Sequence, residues 1–135
     1  MVWPSGVRQD VYSPNMERMW DDMTKRVVGV AKISAEEPSL IGVFLDYENY
    51  WEQNDEGEMP WEKTLFDLSY DGKILREFAA AKKIKLPQLG RTERHPWLVE
   101  QGLHDEFSKF QIDSWRARCR KLREKVDAIN PEFQI

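Results

Sequence analysis

The sequence predicts a mainly α protein: a small helical domain of four or five helices with at most a short two-stranded β element. Three observations carry that expectation. Ile112, Trp115, Cys119, Leu122, Val126 and Ile129 recur three or four residues apart, the spacing of one buried helix face. Met16, Met19, Trp20, Met23, Val27, Val30 and Ala31 repeat that pattern near the N-terminus. Residues 40–45, Leu-Ile-Gly-Val-Phe-Leu, form the one convincing strand candidate.

The elements follow in order. Residues 1–12 contain Pro4 and Gly6 and no sustained period, so they read as an extended N-terminal arm. Residues 13–135 form a single mostly helical domain. Ser13–Pro14 signals a helix start, because a serine caps the first turn and proline there gives up no needed N–H. That helix is expected to run to about Ile33, with Glu17, Asp21 and Asp22 early and Lys25, Arg26 and Lys32 late, the order the helix dipole favours. The 40–45 segment needs a partner strand, because a lone strand leaves its backbone edges unsatisfied. Residues 83–86, the arm, a second copy or another protein are the candidates; the alternative is a buried helix over 40–50. A short helix over 61–68 turns Trp61, Leu65 and Leu68 inward. Asp71 caps a helix from Gly72 to about Ile84, packed through Ile74, Leu75, Phe78 and Ala79. Pro96 fits the first turn of a helix holding Trp97 and Leu98. Gly102 interrupts it, and Leu103, Phe107 and Phe110 resume the pattern. Asp113 or a nearby polar residue caps the final helix, which ends before Asn130–Pro131. The expected core is Trp20, Met23, Val27, Phe44, Leu65, Phe78, Phe107, Trp115, Leu122 and Val126.

At 135 residues the chain buries a sizeable core without a disulfide or metal staple. Cys119 is the only cysteine, which excludes an internal disulfide and a cysteine-based zinc site. Its place on the apolar seam makes it a small core side chain rather than a nucleophile. The apolar run over 40–45 is far short of a membrane span, and residues 1–10 lack a signal-peptide pattern. A cytoplasmic or other reducing compartment is therefore expected. The net charge of -4 hides an asymmetry. Residues 1–72 hold fifteen acids and six bases, whereas residues 73–94 hold seven bases and two acids. Such a chain either pairs its two halves or offers each sign to a partner.

Three sets of candidate residues follow. For partner binding, Trp3, Tyr12, Trp51, Trp61 and Trp97 place large aromatic groups where helix packing does not obviously consume them. Tryptophan and methionine are enriched where interfaces concentrate their energy. For nucleic acid, Lys82, Lys83, Arg91, Arg94, Arg116, Arg120 and Arg123 supply phosphate-type contacts, although basic residues late in a helix also answer the helix dipole. For a metal, Asp46 and Glu48 emerge at the end of the apolar run, where a strand fixes carboxylates beside an open loop. His95 and His104 stand nine apart without a metal-binding spacing, and the glycines form neither a phosphate loop nor a dinucleotide fingerprint. No cofactor is expected.

Asp46-Tyr47-Glu48-Asn49, following the 40–45 run, resembles the start of the NYN branch of PIN-like metal-dependent nucleases. The resemblance covers about ten residues. It implies that Asp46 matches the first metal-coordinating aspartate, that Asn49 matches the conserved asparagine, and that parallel strands alternate with helices. No second apolar strand ending in a carboxylate follows Asp71, which departs from that pattern. The expected function is therefore a non-catalytic protein–protein interaction or structural subunit of a larger assembly. The alternatives are a nucleic-acid-binding accessory protein and a nuclease-like divalent-metal site at Asp46 and Glu48. A protein partner or self-association is the expected form of binding.

Overall fold

The computed structural model describes residues 2–6, 8, 13–45 and 69–135. They form a mainly helical domain of four α-helices without a β-sheet: α1 (Glu17–Ser34), α2 (Gly72–Lys82), α3 (Arg94–Glu100, entered through a 3-10 turn at Arg91–Glu93) and α4 (His104–Asp127). The short helix expected over 61–68, with Trp61 and Leu65, lies outside the described residues.

The long final helix is the spine. Its N-terminal half buries Phe107 among Tyr70, Ile74, Leu75, Phe78 and Leu98, with Phe110 half-buried alongside. Phe78 meets Phe107 and Phe110 edge-on, with ring centroids 5.3 and 5.6 Å apart, the offset geometry that ring quadrupoles favour. Its C-terminal half buries Leu122 and Val126 against Val27 and Ala31 of α1 and against Phe133. Between the two clusters Gln111 is buried, and its side-chain oxygen accepts from Asn15 Nδ2 at 3.3 Å. The apolar seam of the sequence thus docks within the chain's own domain, against α1. Trp20 and Trp115 reinforce it edge-to-face at 4.8 Å.

Local chemistry explains both ends of α2 and the end of α3. Asp71 Oδ1 accepts from the backbone N–H groups of Lys73 and Ile74, satisfying donors that the first turn of α2 cannot pair. At the other end Lys83 adopts a left-handed conformation, and Ile84 N–H closes onto the Ala79 carbonyl. Gly102, with φ +66°, ends α3 in the same manner, and Leu103 N–H reaches the Leu98 carbonyl at 2.8 Å. Glycine takes this conformation without steric cost.

Four expectations are corrected. First, α1 starts at Glu17 rather than at Pro14: the Ser13 hydroxyl oxygen accepts from Asn15 N–H at 3.2 Å, closing a turn ahead of the helix, while its proton goes to Asp71 Oδ2 at 2.8 Å. Residues 13–16 form a turn instead, closed by Met16 N–H on the Ser13 carbonyl. Second, the two expected helical pieces after Gly102 are one helix. Asp113 sits inside it and accepts from Lys109 one turn back rather than capping anything. Third, 40–45 pairs with the C-terminal turn, a partner the sequence did not suggest. Val43 N–H donates to the Gln134 carbonyl and Gln134 N–H to the Ile41 carbonyl, a single parallel bridge between Gly42 and Gln134. The approach requires glycine, since a Cβ on Gly42 would lie 2.5 Å from the Gln134 carbonyl oxygen. Fourth, Phe44 is 90% exposed rather than core, because Leu40, Val43 and Leu45 take the inward positions. Of the other expected core residues, Trp20, Val27, Phe78, Phe107, Leu122 and Val126 are buried, whereas Met23 and Trp115 are half-buried.

The α1–α4 contact is expected to dominate stability. Leu122→Ala should lower the unfolding free energy by about 2–5 kcal/mol. Arg120→Ala, on the exposed side of the same helix, should stay within about 0.5 kcal/mol. Urea denaturation of both variants checks this, and equal losses would contradict the packing described.

Candidate interaction surfaces

The described residues place the chain's candidate groups on three surfaces. The first is the basic side of α4. Arg118 is drawn inward: it donates to the Asn15 carbonyl and to Glu17 Oε1 at 3.0 Å, joining α4 to the start of α1. Arg123 donates to the Phe133 carbonyl and pairs with Asp127, fastening the C-terminal turn to the helix. Arg116 lies 3.6 Å from Asp113. Arg120 and Lys121 remain exposed. Two of the six basic residues of this run are therefore internal struts, and it offers fewer open phosphate contacts than its composition suggests.

The second surface is the corner where the residues before α2 meet α3 and the start of α4. Tyr70 is fully buried, and its hydroxyl lies 3.1 Å from His104 Nε2. His95 stacks edge-to-face on both Tyr70 and His104, at 5.2 Å in each case. The only two histidines, nine apart in sequence, are thus ring neighbours. Their planes cross at 85°, so the edge of one ring meets the face of the other instead of both aiming a nitrogen at one point. Among the described residues no group of three or more His, Cys, Asp or Glu is placed to hold a metal ion. Beside this cluster Arg94 donates to the Tyr70 carbonyl at 2.8 Å. Burial, foremost, lowers the Arg94 pKa; the neighbouring charges of Arg91 and Arg76 act the same way, and Asp71 opposes them.

The third surface surrounds 40–45. Ile41 is 68% exposed and Phe44 90%, and Ile33 (54%) and Ile135 (40%) belong to the adjoining end of α1 and the C-terminal turn. The outer face of α1 carries a shallow groove lined by Asp22, Lys25, Arg26, Gly29, Val30 and Ile33.

The remaining candidates are placed as follows. Trp3 is fully buried, and Val2, beside it, accepts from the backbone N–H groups of Ser69 and Tyr70. These arm residues are therefore spent on the domain's own packing, and Trp3 offers no face to a partner. Trp97 is half-buried against the cluster around Phe107. Tyr12, Trp51, Trp61, Asp46 and Glu48, with Asn49, lie outside the described residues. Lys82 pairs with Glu106, Lys83 is the exposed C-cap of α2, and Arg91 is exposed. Sequence reasoning missed Ile41 and Phe44 as an exposed pair and missed the meeting of Tyr70, His95 and His104. Local periodicity carries no signal for contacts between separate elements. The parallel-stranded fold implied by the nuclease resemblance is absent from the described residues, where 40–45 forms only one bridge.

Cys119 is half-buried, and burial pushes its thiol pKa up, the opposite of what an activated nucleophile needs. Among the described residues no helix is long and apolar enough to cross a membrane.

The hydrogen bond from Arg118 is the main influence holding the Glu17 pKa below its usual 4.5. A carboxylate lowered in the folded state contributes stability above its unfolded pKa, and that contribution is lost as pH falls through the folded value. Wild type should therefore be more stable than Glu17→Gln at pH 6, with the gap smaller at pH 3. Urea midpoints at the two pH values measure it, and an unchanged gap would contradict the assignment. In comparisons with known proteins, the chain matches no family model, no curated protein and no solved structure.

Proposed function

We propose that the chain is a non-catalytic protein-interaction module whose binding edge is the 40–45 segment. One observation carries the reading: among the described residues, a segment of high β-propensity is paired along one side only, with Ile41 and Phe44 in solvent. Successive backbone groups in such a segment alternate between its two edges. The Ile41 carbonyl and Val43 N–H face Gln134, so the backbone groups of Gly42 and Phe44 face the other way. An added strand from a partner satisfies those groups by main-chain hydrogen bonds, while alternate side chains supply the specificity. Phe44 is the main apolar anchor, Ile41 lies three residues away on the other face of an extended segment, and Ile33 and Ile135 are further exposed apolar groups.

The partner chemistry that fits is an extended, apolar, uncharged peptide segment. Residues 40–45 carry no charge, and an opposing charged side chain gains nothing there for the water it loses.

The test is affinity capture from the native source with wild type and with Phe44→Ser, followed by binding measurements with the recovered partner. The expected result is a partner bound by wild type and weakened about tenfold or more by Phe44→Ser, the scale of losing one interface anchor. Because Phe44 touches little of the domain, its melting temperature should hardly move. Binding that is indifferent to Phe44 would overturn the reading.

A further inference from the structure

We propose that Arg76 and Arg94, with the charge of Arg91 nearby, form a binding site for a phosphate group at the corner between α2 and α3, independent of the 40–45 edge. Gly72 makes the space. A Cβ on this residue would stand 3.1 Å from Arg76 Nη1 and 3.5 Å from Arg94 Nη2, so both guanidiniums close over a position kept free of a side chain. Those two nitrogens are near enough for one tetrahedral oxyanion to accept from both at ordinary hydrogen-bond lengths.

The two arginines reach the site differently. Arg94 comes from α3, and its Nη1 is tied to the carbonyl of fully buried Tyr70, which fixes the guanidinium and turns Nη2 toward Gly72. Arg76 comes from the second turn of α2 and is exposed. Arg91, in the turn before α3, is also exposed, and its charge bears on Arg94 as that of Arg76 does. Neither Arg76 nor Arg91 makes an ion pair or hydrogen bond among the described residues.

The nearby acids relieve this crowding only in part. Asp71 is the one anion whose charge favours that of Arg94. Its oxygens are taken by Ser13 Oγ and by the backbone N–H groups of Lys73 and Ile74. Glu93 accepts from Gly90 N–H at 2.6 Å, and Glu77 lies 3.5 Å from Lys73. Because Asp71 already caps α2, the anion is held by guanidinium groups rather than by the free amides of a helix end. Arginine suits that task, since its planar fork donates two parallel bonds to a phosphate. A bound dianion also removes the mutual repulsion of three cations.

The experiment titrates inorganic phosphate into the full chain, followed by calorimetry and by thermal shift, against chloride at matched ionic strength. A parallel arm uses a nucleoside 5′-monophosphate. Wild type is expected to bind inorganic phosphate saturably and to melt at higher temperature with it. Arg76→Gln/Arg91→Gln should bind at least about tenfold more weakly, the loss expected from charge-assisted hydrogen bonds, while melting cooperatively without ligand. Tighter binding of the monophosphate than of inorganic phosphate identifies a nucleotide as the source of the group; equal binding identifies the bare anion. No saturable response in wild type, or the same response in the double variant, would overturn the proposal.

Discussion

The apolar contact between α1 and the second half of α4 is the constraint on which the rest of the structure depends. Val27 and Ala31 meet Leu122 and Val126 there, and Phe133 closes one end. The first half of α4 is already committed to Phe78, Tyr70 and Leu98. One continuous helix therefore binds two apolar clusters that share no buried residue. Buried Gln111 marks the change between them, with Asn15 supplying its partner. An unpaired amide at that point would be costly, so the pairing also fixes where the chain enters α1.

Electrostatics follow from this frame rather than from composition. The arginines of α4 that face neighbouring elements become struts: Arg118 holds the start of α1 and Arg123 holds the C-terminal turn. Among the described residues, the arginines at the α2–α3 corner form no ion pair with a carboxylate. Two arginines on α4 and three at the α2–α3 corner thus have opposite meanings within one small domain. Pairing within the fold uses one set, and geometry leaves the other crowded.

What the sequence made legible was mostly local. The Asp71 cap and the Gly102 break are chemistry of a few consecutive residues, and the structure has both. The seam over 112–129 was legible as a docking face because periodicity reports burial, yet periodicity cannot name the partner, which proved to be α1. Failures occurred where a distant group outbid a local rule. Ser13 looked like a helix cap, but its oxygen closes a turn on Asn15 N–H ahead of the helix, held there by its own donation to Asp71, 58 residues on. Phe44 looked like core, but a six-residue apolar run has two sides and only one faces the domain. The candidate surfaces were the least legible. Arg91 and Arg94 stood out as basic residues, but the spacing of the chain could not show that Arg76 and a side-chain-free Gly72 would join them.

Both proposed surfaces presume a domain that is complete within one chain, held by its own α1–α4 seam. The most direct measurement is a double-mutant cycle on Trp20 and Trp115, whose rings meet across that seam, using Trp20→Leu, Trp115→Leu and the double variant in urea denaturation. The account predicts a coupling of about 0.5–1.5 kcal/mol, the size of an aromatic pair in contact, unchanged on dilution of the protein. Additive losses, or a coupling that disappears on dilution, would contradict it.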